Sequence, residues 1–135
     1  MDPPLRALVV DDSVVVRELI AVNLRFEGFE VTTAADGDAA LELVGQIHPD
    51  VITLDVVMPK LTGLETVARL REDPETAHIP IIIVTARAQA SDVARGEGLG
   101  VEAYLTKPFE PSELVDVVTR LATSGRRPSA DRRYP

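Results

Sequence analysis

The run Ile81-Ile82-Ile83-Val84 is apolar and β-branched without interruption. A strand with one solvated face alternates apolar and polar residues, whereas a strand buried on both faces does not. This run is therefore expected inside a parallel sheet covered by helices on both sides. The rest of the chain fits that plan. Strand-like runs are predicted at residues 5–10, 29–33, 51–54 and 101–105, with 81–84 between the last two. Each is followed by a stretch of helical spacing. Ser13 is a plausible N-cap for a helix over residues 14–26, with Gly28 beyond its end. A second helix is expected over 36–46, a third from Leu64 to a stop at Asp73-Pro74, and a last over 111–122 with Pro111 in its first turn. A fourth, at 90–99, is weakened by Gly96, Gly98 and Gly100. Five β-α units with right-handed crossovers give an α/β fold with five helices flanking a five-stranded parallel sheet.

At 135 residues the chain suits one domain. It divides into an N-terminal extension over 1–4, a domain over 5–122 and a flexible tail or linker over 123–135. The net charge is -8, and it is unevenly placed. Residues 1–123 carry 10 Lys and Arg against 21 Asp and Glu, whereas residues 124–135 carry four Arg and one Asp. So acidic a body is not expected to grip nucleic acid or an anionic membrane surface by itself. No apolar run approaches the roughly 20 residues of a membrane span. The first residues show no secretory signal, and the absence of cysteine excludes disulfides, thiol catalysis and sulfur-ligated metals. A cytoplasmic location is the expectation.

Ligands of an open parallel sheet bind beyond the carboxyl ends of its strands. Asp11 and Asp12 follow the first strand, Asp55 the third and Thr85 the fourth, and Lys107-Pro108 lies just past the fifth. The second strand, ending at Thr33, adds no comparable group, as an outer strand in the order 2-1-3-4-5 would not. Three neighbouring carboxylates repel one another unless a hard cation such as Mg²⁺ relieves them. A carboxylate can also act as a nucleophile and accept a phosphoryl group as an acyl phosphate. The metal and a lysine would then neutralise the phosphoryl oxygens in transit.

These residues and their spacing resemble the receiver domain of two-component response regulators, a flavodoxin-like fold. The matching stretches are Val9-Val10-Asp11-Asp12-Ser13, Leu54-Asp55-Val56-Val57-Met58-Pro59, Val84-Thr85-Ala86 and Tyr104-Leu105-Thr106-Lys107-Pro108-Phe109. The resemblance implies that Asp55 is the phosphoacceptor and that Lys107 pairs with the phosphoryl group. It implies Mg²⁺ held by Asp12 directly, by Asp11 mainly through water, and by Asp55 and the backbone carbonyl of Val57. Thr85 would swing toward the phosphoryl group and Tyr104 would move inward, altering partner binding at the face of the fourth helix, fifth strand and fifth helix. The donor would be a sensor histidine kinase or a phosphotransfer protein. The output would be a docking partner or an output domain outside this chain, and a phosphorylation-dependent dimer is a further expectation. Val57, Arg87, Glu102 and Val117 occupy positions where the family varies or commonly carries other residues.

Two other functions compete. An aspartyl-nucleophile phosphatase would place a second acid two residues after the first, where this chain has Val57. A receiver-like module working without phosphorylation would not need all five site residues. A flavin carrier lacks its phosphate loop after the first strand. His48 and His78 are expected in surface or packing roles, and the Arg-rich tail as a solvated end.

Overall fold

The computed structural model describes residues 3–57, 62–86 and 89–124. Five strands, β1 (Arg6–Val10), β2 (Glu30–Ala34), β3 (Val51–Leu54), β4 (Ile81–Thr85) and β5 (Ala103–Thr106), alternate with five helices. The helices are α1 (Val14–Phe26), α2 (Gly37–Ile47), α3 (Gly63–Glu72), α4 (Ala90–Gly98) and α5 (Pro111–Ser124). The sheet is parallel in the order β2-β1-β3-β4-β5, as the sequence leads one to expect.

The two-residue period of the strands divides the core into two layers. Leu8, Val10, Ile52, Leu54, Ile81 and Ile83 face α2, α3 and α4. Ala7, Val9, Val51, Ile82, Val84 and Leu105 face α1 and α5. All five residues of β4 are buried, which accounts for the uninterrupted β-branched run.

Local signals set the helix ends. The Ser13 hydroxyl accepts from the Val16 amide, and Asp36 caps α2 through the Ala39 amide. Thr62 and Glu65 form a reciprocal capping box on α3. That arrangement lowers the Glu65 pKa, through its hydrogen bonds with Thr62. Gly28 takes a left-handed φ of 95° just past α1.

Several predicted boundaries move. The second strand starts at Glu30, because Phe29 closes the turn on the Leu24 carbonyl and packs under α1. The fifth starts at Ala103, since the Val101 amide is taken by the Gly96 carbonyl at the end of α4. The last helix reaches Ser124, two residues past the expected domain end, and residues 125–135 lie outside the described residues. Val117 is buried in the layer under α5, so it offers no side chain to a dimer surface. α4 is the least anchored helix. Its N-cap Gln89 makes no side-chain cap bond, and its one buried residue is Gly96.

Candidate functional site

β1 and β3 are neighbours in register, so the residues after Val10 and Leu54 emerge side by side. The Asp55 amide donates to the Val10 carbonyl at 3.1 Å, and the Asp11 amide to the Ala34 carbonyl at 3.1 Å. These bonds extend the sheet pattern into the loops and fix both backbones. Arg17, one turn into α1, donates to the Asp11 carbonyl at 2.9 Å.

Asp11, Asp12 and Asp55 each present a carboxylate oxygen within 4.8 Å of the other two. Asp11 and Asp55 are buried and Asp12 is exposed. The second oxygens of the buried pair are held by backbone: Asp11 Oδ1 accepts from the Ser13 amide at 2.9 Å, and Asp55 Oδ1 from the Val57 amide at 3.0 Å. Their remaining oxygens face one cation. Lys107 Nζ lies 2.8 Å from Asp11 Oδ2 and 2.9 Å from Asp55 Oδ2. The Lys107 amide donates to the Thr85 carbonyl at 2.8 Å, so the end of β4 sets the lysine backbone. The Lys107–Pro108 peptide is cis.

Partial burial opposes charge on Lys107. Hydrogen bonds and attraction from Asp11 and Asp55 outweigh it and raise the ammonium pKa above the ordinary lysine value. Three acids against one base leave the cluster net negative, and all its donors are oxygens. That set suits a hard divalent cation.

The structure brings the five chain positions singled out in the sequence to one edge of the sheet. Thr85 is fully buried at the end of β4. Tyr104 is buried in the layer that holds Leu64 and Val101, so its ring already points inside. Val57 is half exposed beside Asp55, while Met58, Pro59 and Arg87 lie outside the described residues. A groove of about 490 Å³ runs between α1 and α5 past Phe26 and Val115, and holds none of these residues.

Three residues escaped sequence reasoning. Gly63 has no room for a side chain, since a Cβ there would collide with the Asp55 carbonyl and Val56 Cα. The α3 terminus thus presses on the backbone of the phosphoacceptor candidate. Arg71 and Glu102 form a largely buried ion pair at the opposite end of the sheet, by the starts of β4 and β5. The only sequence hint was Glu102 at a position where the family often carries Asp. His48 and His78 prove to line one small pocket of about 70 Å³ with Glu75. Among the described residues, however, the three aspartates are the cluster drawn tightly enough for an ion.

Comparison with known proteins identifies the family. The sequence profile described as "Response regulator receiver domain" matches residues 7–119. The response regulator MprA of Mycobacterium sp. strain KMS is 41% identical over 128 residues, 95% of this chain and 54% of that protein. The DNA-binding dual master transcriptional regulator RpaA of Synechocystis is 39% identical over 116 residues, 86% of this chain and 48% of that protein. The chain thus spans about half the length of these curated relatives. Among solved structures, the Vibrio cholerae chemotaxis protein CheY4 superposes with a TM-score of 0.83 at 34% identity, covering 88% of this chain and 99% of that one. The Francisella response regulator 1452 receiver domain gives 0.81 at 32% identity, covering 89% and 98%. With profile, relatives and fold in agreement, the chain belongs to the response regulator receiver domain family.

Proposed function

We propose that Asp55 accepts a phosphoryl group from a phosphohistidine donor and that the acyl phosphate switches the binding surface of the domain. The observation that carries this reading is the Lys107 ammonium held between Asp11 and Asp55, beside the exposed Asp12. A carboxylate oxygen of Asp55 attacks phosphorus, the P–N bond breaks, and the imidazole nitrogen keeps the electron pair and takes a proton from solvent. Lys107 stays beside Asp55 and neutralises the incoming oxygens. Asp11, Asp12, Asp55 and the Val57 carbonyl would hold Mg²⁺, which supplies further neutralisation of phosphoryl charge when bound. Val57 puts no acid where a phosphatase would protonate its leaving group. That favours a phosphoryl acceptor over a multiple-turnover phosphatase.

The switch follows from differential binding. Thr85 donates to a phosphoryl oxygen in the active arrangement, and Tyr104, already buried, shifts into the space that the hydroxyl leaves. α4 lacks a side-chain cap and buries only a glycine, so moving it costs little. A sensor histidine kinase or a phosphotransfer protein would be the donor. The output would be a docking partner or a domain outside this chain, with phosphorylation-dependent dimerisation as one form, and the site would be cytoplasmic. Among the described residues no helix is long and apolar enough to cross a membrane. Phosphoramidate, whose P–N bond stands in for that of phosphohistidine, tests the transfer. A hydroxylamine-labile acyl phosphate should form with Mg²⁺ and fail to form when the metal is chelated. Equal formation without Mg²⁺ would contradict the metal's part.

A further inference from the structure

α1 is apolar on two opposite faces. Ile20, Ala21 and Leu24 are buried under it. On the outer face Val15, Leu19, Val22 and Phe26 are exposed by 78%, 45%, 46% and 85%. A helix apolar all round is normally buried on all sides, and four large apolar groups in a row are an uncommon load for a solvated surface. Their spacing of four, three and four residues is that of a helix–helix seam.

The charges flanking this seam say what covers it. Glu18 and Arg25 lie along the same side of the seam, seven residues apart, and both are exposed. When two copies of α1 lie antiparallel about a two-fold axis, Val15 meets Phe26 of the other copy and Leu19 meets Val22. Glu18 then faces Arg25 of the other copy, and Arg25 faces its Glu18. Both charge pairs are attractive in that orientation, so the face is complementary to itself. A parallel two-fold arrangement would carry Glu18 and Arg25 of the second copy to the opposite side of the seam, where neither charge pair could form.

We propose that the chain self-associates through an antiparallel α1–α1 seam centred between Leu19 and Val22. α1 has 13 residues and is roughly 20 Å long. One such pair buries well under the about 1,600 Å² of a standard stable interface. Association is therefore weak, with a dissociation constant on the order of 0.1 mM. Val14 and Val15 lie two and three residues past Asp12, so the associated form crowds the approach to Asp55. That consequence rests on the phosphoacceptor reading, whereas the association itself does not.

Sedimentation equilibrium of the full chain from about 10 µM to 1 mM provides the test. The weight-average mass should climb from 14.6 kDa toward twice that value. Leu19→Glu, on an exposed position, should stay at the monomer mass with an unchanged circular dichroism spectrum. Glu18→Arg and Arg25→Glu should each weaken association by about fivefold or more, because both pairs become repulsive. The double reversal should restore it. A monomer throughout would overturn the proposal, and so would a dimer that ignores Leu19→Glu or a double reversal no better than the singles. A monomer whose Leu19→Glu form accepts phosphate more slowly from a protein donor, but normally from phosphoramidate, would assign the stripe to that donor instead.

Discussion

The guanidinium of Arg71 on α3 donates to the Glu102 carboxylate at 3.0 Å, and both side chains are largely buried. Arg71 also donates to the carbonyls of Leu99, Ala77, Ile79 and Gly100. The same Glu102 oxygen accepts the Ile81 amide at 2.7 Å. One ion pair thus joins the end of α3, the start of β4 and the turn after α4. Breaking a buried pair strands the surviving charge and typically costs about 3–5 kcal/mol. Arg71→Ala and Glu102→Ala should each lower stability by about 3 kcal/mol in urea unfolding. A loss under about 1 kcal/mol would show the pair to be incidental.

Glu102 also has a pH signature. Burial raises its pKa above the ordinary 4.5, and the Ile81 amide and Arg71 offset only part of this. Between the unfolded and folded values the folded state holds a proton that the unfolded state releases, so stability falls as pH rises through that window. Stability curves of wild type and Glu102→Gln should therefore diverge just above pH 4.5, with the wild type falling more steeply.

Lys107 acts in the same direction in an alkaline window. Its raised pKa means that its contribution is complete below the ordinary 10.5 and is lost as pH rises through the folded value. Lys107→Ala removes the cation between two buried carboxylates. At pH 7 the variant should be destabilised by about 1–3 kcal/mol, read from urea unfolding. Its rate of phosphorylation by phosphoramidate should fall by about 10- to 100-fold, read from acyl phosphate formed against time.

Gly63 allows α3 to start against the Asp55 carbonyl. Gly63→Ala should force the two backbones apart, costing about 2 kcal/mol or more and slowing phosphorylation without touching a reacting atom. Mg²⁺ titration followed by amide NMR should show altered shifts at Asp55 and Val57 in this variant.

Much of this was legible in the chain because the fold and the site share one edge. The apolar run Ile81–Val84 marked a doubly buried strand, and the residues after each strand marked the site. The lack of a functional group after the second strand agreed with its outer place in the order β2-β1-β3-β4-β5. What stayed hidden depends on contacts far apart in sequence. Arg71 and Glu102 are 31 residues apart, and no local pattern distinguishes either from a solvated charge. Phe29 and Val101 read as strand residues, yet turn bonds to Leu24 and Gly96 withdrew them. The two apolar stripes of α1, one buried and one exposed, are not told apart by periodicity alone, which does not say which of them meets the sheet.

The central claim concerns a single bond to Asp55, and intact-mass spectrometry reads it directly. Wild-type chain incubated with a small phosphodonor and Mg²⁺ should gain about 80 Da, one HPO₃. Asp55→Ala should gain nothing under the same conditions. An adduct of equal yield in Asp55→Ala, or none in the wild type across several donors, would contradict phosphoryl transfer to this carboxylate.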